Sequence, residues 1–168
     1  MTFKLYIMRH AKSDWSDAGR SDFDRPINSR GEKNAKAIGQ WLLENNKIPQ
    51  QIISSPALRA KQTTVLVVDA FTDALSEKII YEKNLYLASL DSLLECIQLY
   101  KNGLNSLMIV AHNPGLEGLL HYLLTQSDRS NNSITSMSTA NLALFEFPNN
   151  AFDIYSDRGE LVEFLKPD

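Results

Sequence analysis

Short apolar runs alternate with longer amphipathic stretches along this chain, and that alternation limits the possible folds more than any other feature. The runs Phe3–Met8 and Leu107–Ala111 have the length and apolar character of strands, and Leu107–Ala111 contains no polar residue. Between them, Arg30–Glu44 repeats apolar residues at helical spacing. Strands that alternate with helices form a mostly parallel sheet covered by helices. The sequence therefore predicts an α/β protein, a three-layer α/β/α sandwich with a mostly parallel, mixed central sheet.

The remaining elements follow from the same pattern and from helix-start signals. Ser29 with Glu32 predicts a capping box, and the pairs Ser55-Pro56 and Asn113-Pro114 predict a capped helix with proline in its first turn. The other predicted elements are strands at Gln51–Ser54, Ile79–Tyr81, Asn141–Phe147 and either Phe152–Tyr155 or Leu161–Leu165, helices from Pro56 to about Ala74, at Leu90–Tyr100 and from Pro114 to about Leu124, and a polar loop at Ser127–Ser138.

Length, charge and histidine spacing exclude several classes of protein. A chain of 168 residues is expected to form one domain, residues 1–168. Its formal charge of −3 disfavours a nucleic-acid partner. It has neither a signal-peptide pattern nor a membrane-spanning apolar run, so we expect a cytoplasmic protein with no membrane partner. His10, His112 and His121 lack the spacing of metal ligands, and we expect no metal and no other cofactor.

Cationic and imidazole side chains follow three of the predicted strands. Arg9 and His10 come at the end of the first strand, Arg59 lies just after the second, and His112 directly follows Leu107–Ala111. Because ligands bind at the carboxyl ends of parallel strands, we expect these four side chains to share one pocket. Arginines and helix N-termini bind phosphoryl oxygens, and a neutral imidazole can attack phosphorus. The sequence therefore predicts phosphoryl-transfer chemistry in which guanidinium groups supply the positive charge.

Three segments together resemble the histidine phosphatase superfamily, whose fold is phosphoglycerate-mutase-like. The segments are Arg9-His10-Ala11-Lys12-Ser13, Ser54–Thr63 and Val110–Leu116, and Arg25–Gly31 is similar to the stretch that leads into the family's first helix. The short length and the first segment are most similar to SixA-type phosphohistidine phosphatases. The resemblance implies that His10 is the phosphate-accepting nucleophile and that Arg9, Arg59 and His112 are its catalytic partners. Substrate contacts are expected from Arg9, Arg59, Ser13 and Asn113.

Two features of the chain depart from the family pattern. The usual glycine after the histidine is Ala11, which makes a positive φ there unlikely. The general acid of many relatives corresponds only loosely to Glu82, which is either a possible general acid or a solvated loop carboxylate. The imidazole of phosphohistidine is a less basic leaving group than an alkoxide and needs no dedicated acid. Asp14, Asp22 and Asp24 either shape specificity at the pocket mouth or are solvated loop charges.

These observations predict a metal-independent phosphatase that forms a phosphohistidine intermediate and dephosphorylates phosphohistidine on a partner protein. The alternatives are a phosphatase for small phosphate esters, with Glu82 as acid, and a catalytically silent phosphate-binding module.

Overall fold

A mixed sheet forms the centre of the molecule in the computed structural model, which describes residues 1–71, 78–126 and 134–167. The strands are β1 (Phe3–Arg9), β2 (Gln51–Ser54), β3 (Ile79–Tyr81), β4 (Ser106–Ala111), β5 (Leu142–Phe147) and β6 (Glu160–Leu165). They lie in the sheet in the order β3-β2-β4-β1-β5-β6. Strands β1 to β4 are mutually parallel, whereas β5 is antiparallel to both β1 and β6. The predicted mixed sheet is confirmed, and the closing strand is the later of the two alternatives.

Helices cover both faces of this sheet, because successive side chains of a strand point to opposite faces. Leu5 and Ile7 of β1 pack in the core under two helices, α3 (Leu90–Tyr100) and α4 (Gly115–Gln126). Tyr6 and Met8 pack in the other core, under α1 (Ser29–Glu44) and α2 (Leu58–Val68). The three predicted layers are thus confirmed. None of the helices in the described part of the chain is both long and apolar enough to span a membrane.

The three predicted helix starts are each wrong by one or more residues. The cap of α1 is Asn28, whose side chain accepts a hydrogen bond from the N–H of Gly31, and not Ser29. Helix α2 begins only at Leu58, because the Ser55 hydroxyl accepts from Ala57 N–H within a preceding turn. A cis peptide bond joins Asn113 to Pro114, and α4 begins at Gly115, one residue after the proline.

The observed end of α2 and the observed extent of the predicted polar loop also differ from the prediction. Helix α2 ends at Val68 rather than near Ala74, and residues 72–77 lie outside the described part of the chain. Residues 127–133 of the predicted polar loop also lie outside it, and the part that is described, 134–138, has no regular structure.

Strand register brings the ends of β1, β2 and β4 to one level. Arg9 pairs with Ala111, and Ser54 pairs with Val110. The backbone continues the ladder one residue further, since His10 N–H donates to the Ala111 carbonyl and Ser55 N–H donates to the Val110 carbonyl. The residues that follow these strands therefore emerge side by side at the carboxyl edge of the sheet.

Candidate active site

His10 lies at this edge among Arg9, Arg59 and His112, a cluster that we call the pocket, and it is only 5% exposed. Its Nδ1 atom is 2.8 Å from the Ala11 carbonyl oxygen, which can only accept, so Nδ1 carries the proton. The other ring nitrogen, Nε2, therefore carries no proton and accepts a hydrogen bond from the Nε–H of Arg59 over 3.4 Å. Its lone pair is able to attack phosphorus once a phosphoryl group takes the place of that hydrogen bond.

Ala11 fits the turn after β1 without a positive φ, as the sequence predicted. Its N–H donates to the Thr63 hydroxyl over 2.9 Å, and that hydroxyl donates to the Arg59 carbonyl over 2.7 Å. Thr63 thereby ties the β1 turn to the first turn of α2. This link fixes the position of Arg59 relative to His10.

His112 faces His10 across the pocket, with 5.0 Å between the ring centroids. Its Nε2 atom is 2.7 Å from the hydroxyl of Ser55, a fully buried residue. Its Nδ1 atom is buried and has no hydrogen-bond partner within the described part of the chain. One nitrogen of this ring is therefore left unpaired by the protein.

Asp22 binds the Arg59 guanidinium. The sequence left two interpretations of Asp22, a specificity determinant at the pocket mouth or a solvated loop charge. Arg59 Nη1 donates to the Asp22 carbonyl, and Nη2 donates to the Asp22 carboxylate over 3.0 Å. The same carboxylate accepts from the Tyr86 hydroxyl over 2.6 Å and from Arg25 over 2.8 Å. Asp22 therefore belongs to the pocket, whereas Asp14 and Asp24 make hydrogen bonds within their own exposed turns.

Arg9 is the last residue of β1. Its Nη1 atom donates to the Met137 carbonyl over 3.1 Å, and its Nε atom is buried and has no hydrogen-bond partner among the described residues. Burial lowers the pKa of Arg9, and the carboxylate of Glu117 opposes that effect. The guanidinium stays charged, since arginine does not lose its proton in proteins.

Burial and the surrounding cations keep both imidazoles neutral. Burial lowers the pKa of His10 to about 3, against the raising effect of the Ala11 carbonyl, and His112 and the two arginines lower it further. Burial and Arg59 lower the pKa of His112 to about 4. Burial raises the pKa of Asp22, but hydrogen bonds from Tyr86, Arg25 and Arg59 outweigh it and hold that pKa well below its usual range. The pocket thus combines neutral imidazoles with an excess of guanidinium charge, which suits a phosphoryl dianion.

The structure brings Arg9, His10, Arg59 and His112 together. Asn113 lies beside Arg9, since both side chains donate to the Met137 carbonyl. Asn113 also donates to Glu117. The backbone of Ser13 pairs with Ile27 and accepts from the Asn28 side chain, and the substrate contacts predicted for Ser13 and Asn113 stay predictions.

Glu82 points toward α3 rather than toward His10. Its carboxylate accepts from the Tyr100 hydroxyl and lines a cavity of about 110 Å³ with Cys96 and Leu99. This geometry favours a structural carboxylate over a general acid. Within the described ranges, no group of three or more His, Cys, Asp or Glu side chains could hold a metal ion.

Comparison with known proteins assigns the pocket to a family. Residues 5–85 match the model of the histidine phosphatase superfamily, branch 1. An uncharacterised chloroplastic protein of Arabidopsis thaliana is 30% identical over 160 residues, which cover 89% of this chain and 69% of that protein. The chain belongs to the histidine phosphatase superfamily. It is a phosphoryl hydrolase, as the sequence predicted.

Solved structures of histidine phosphatases place the chain near one type within the family. A crystal structure from Agrobacterium tumefaciens, assigned as the phosphohistidine phosphatase SixA, has a TM-score of 0.81 and 28% identity over 98% of both chains. A protein histidine phosphatase SixA complexed with tungstate has the same fold, with a TM-score of 0.78, 21% identity and coverage of 98% and 97%. A mycobacterial glucosyl-3-phosphoglycerate phosphatase also has it, with a TM-score of 0.67, 16% identity and coverage of 96% and 97%. The fold is therefore phosphoglycerate-mutase-like and similar to that of SixA.

Proposed function

We propose that this histidine phosphatase removes phosphate from phosphohistidine on a partner protein by way of a phosphorylated His10. The observation that carries the proposal is the unprotonated Nε2 atom of His10, which is fixed by the Nδ1 contact to Ala11 and lies among Arg9, Arg59 and His112. The likeness to a SixA-assigned protein along nearly the whole chain supports the same substrate class.

The first half of the reaction transfers the phosphoryl group to the enzyme. The lone pair of His10 Nε2 attacks phosphorus, and the bond from phosphorus to the substrate nitrogen breaks with its electron pair going to that nitrogen. Arg9 and Arg59 stabilise charge on the phosphoryl oxygens, and the unpaired Nδ1 of His112 provides another donor. In this step the guanidinium charges of Arg9 and Arg59 compensate the negative charge of the phosphoryl dianion.

The second half returns the enzyme to its starting state. A water molecule attacks the phosphorus of phospho-His10, and the P–N bond breaks with its electron pair returning to Nε2. The oxygen and both protons of the water leave with inorganic phosphate as H2PO4−, which can then lose a proton to solvent. His10 recovers the proton arrangement set by the Ala11 carbonyl, which accepts only from Nδ1. The same arginines bind the phosphoryl group throughout.

The environment of the carboxylates favours cleavage of a P–N bond over a P–O bond. An alkoxide leaving group needs a positioned acid, whereas an imidazole can leave with a proton already on its other nitrogen. Asp22 is held ionised by three donors, and the Glu82 carboxylate is occupied by Tyr100. Neither is a proton donor suited to an ester.

Turnover of matched substrates tests the proposal. We expect a higher kcat/KM for a phosphohistidine-bearing protein than for glycerol phosphate or a sugar phosphate, and loss of both activities in His10→Ala. The matched control is His121→Ala, because His121 is an exposed histidine bonded to the Thr135 carbonyl. Turnover of small esters alone would assign the small-ester function instead, and phosphate binding without turnover of any of them would indicate a silent binding module.

A further inference from the structure

The rim of the pocket is built differently from its base. His10 is 5% exposed and the Arg59 side chain 3%, whereas the Asp22 side chain is 44% exposed. A single guanidinium separates the two levels, because Arg59 reaches His10 with Nε and Asp22 with Nη2. In-line displacement places the leaving group opposite the attacking nitrogen, so the leaving group of a bound substrate faces this rim.

The Asp22 carboxylate at the rim is ionised and can accept one more hydrogen bond. Its Oδ2 atom accepts from Tyr86 and Arg59, while Oδ1 accepts only from Arg25 among the residues that the structure describes. Arg25 is itself fixed by stacking 3.7 Å from the ring centre of Trp15. A carboxylate oxygen can accept two hydrogen bonds, so Oδ1 can take one more donor from a ligand.

Aromatic rings lie beside this carboxylate. The rings of Phe23 and Tyr86 meet edge to face with 5.0 Å between centroids, and Tyr86 meets His112 in the same way at 5.6 Å. Phe23 is 39% exposed. A flat leaving group between the phosphoryl site and solvent would therefore find ring surface and an anionic acceptor together, the combination that favours a cationic heteroaromatic ring.

We propose that Asp22, Tyr86 and Phe23 form a leaving-group subsite for the protonated imidazole of phosphohistidine. This inference rests on the proposed function, since it concerns the group from which His10 takes the phosphoryl. Asp22 accepts a hydrogen bond from the distal N–H of the substrate ring and keeps that nitrogen protonated. It acts on the substrate ring directly and takes the place of a general acid without giving up a proton.

The transfer step then balances without any proton movement. The substrate imidazolium carries phosphorus on one nitrogen and a proton on the other. Attack by neutral His10 forms the new P–N bond, and the old P–N bond breaks with its electron pair returning to the substrate ring. The substrate leaves as neutral imidazole with its distal proton, and the positive ring charge passes to phospho-His10. An anionic leaving group would instead be repelled by Asp22.

Replacement of Asp22 by asparagine tests the subsite with two probes. Asn keeps an oxygen that can accept from Arg59 and Tyr86 but removes the negative charge. We expect D22N to lower the ratio of kcat/KM for phosphoimidazole to kcat/KM for p-nitrophenyl phosphate by at least about tenfold, because p-nitrophenolate leaves without a proton. The use of a ratio cancels any loss of folded protein.

Asp24→Asn is the matched control, since Asp24 is an acidic residue of the same segment that bonds only to Ser21. We expect its ratio to stay within about twofold of the wild type. An unchanged ratio in D22N would overturn the subsite and leave the proposed function intact, because Asp22 would then act only through Arg59. Absence of phosphohistidine turnover by the wild-type protein would overturn the proposed function itself.

Discussion

At the residue scale, one hydrogen bond determines which nitrogen of His112 can donate to a ligand. The Ser55 hydroxyl is fully buried and accepts from Ala57 N–H, and its other hydrogen-bond partner within the described ranges is His112 Nε2. The hydroxyl hydrogen therefore points at Nε2, and the proton of the neutral ring lies on Nδ1. Ser55 is a positioning residue in this account, because it acts on the substrate only through His112.

Ser55→Ala should remove the hydrogen bond that keeps His112 in its Nδ1–H tautomer. We expect the ¹⁵N signals of His112 to change from those of a single Nδ1–H tautomer to those of a mixture, and kcat to fall about tenfold, which corresponds to about 1.4 kcal/mol. The control is Ser54→Ala, since Ser54 is equally buried but bonds to Ser55 and Thr64 rather than to a histidine. Equal effects of the two variants, with an unaltered His112 spectrum, would contradict the role of Ser55.

The sequence was sufficient to find the four central residues, because each lies within a few positions of a strand end. It was insufficient for Asp22, which is one of several acidic residues in an irregular segment with no periodicity. The partner that distinguishes Asp22 is Tyr86, 64 positions away. Contacts of that kind depend on how loops fold over the sheet edge, which local pattern does not encode.

At the scale of secondary-structure elements, the close approach of α1 and α2 depends on a single small residue. A Cβ atom at Gly39 would collide with the carbonyl oxygen of Val67 and would meet the Ala70 Cβ at 3.0 Å. Both α1 and α2 pack on the face of the sheet that supports Arg59. The glycine therefore allows α2 to lie where the pocket needs it.

Gly39→Ala should destabilise the protein although alanine is the better helix former. We expect the free energy of unfolding, measured in urea, to fall by about 2 kcal/mol because backbone atoms must move apart. Gly118→Ala in α4 is the matched control, since its nearest neighbour would be Leu90 at 3.8 Å, and it should add up to about 1 kcal/mol. A Gly39→Ala protein as stable as the wild type would show that the two helices are not packed this closely.

The sequence predicted the positions of the strands and helices better than it predicted the residues at which the helices begin. Strand and helix positions follow from apolar spacing, and those predictions are largely confirmed. The cap signals at Ser55 and Asn113 were misleading because both side chains bind distant partners, His112 and the Met137 carbonyl. A polar residue before a proline has the same appearance in sequence whether it caps a helix or builds a site.

At the scale of the whole molecule, the pocket makes folding dependent on pH. His10 and His112 have pKa values of about 3 and 4 in the folded protein, against about 6.5 in an unfolded chain. Below pH 6.5 the unfolded chain therefore binds protons that the folded protein does not. Acid favours unfolding, and the stability present above pH 6.5 is lost progressively as the pH falls toward 4 and then 3.

Urea unfolding at a series of pH values should reveal this linkage. We expect the free energy of unfolding to fall between pH 7 and pH 5 by about 2 kcal/mol for each of the two histidines. The slope should become shallower in a His10→Gln, His112→Gln double variant, whereas His121→Gln should leave it as in the wild type. A wild-type stability that is constant between pH 5 and pH 7 would contradict the buried, neutral state of both rings.

Isolation of the phosphoenzyme is the most direct test of the central claim. The protein would be mixed with a radiolabelled phosphohistidine substrate, quenched within one turnover, and digested under alkaline conditions, where phosphohistidine survives. We predict base-stable, acid-labile label on the peptide that contains His10 and none in His10→Ala. Label on another residue, or full turnover by His10→Ala, would contradict the account.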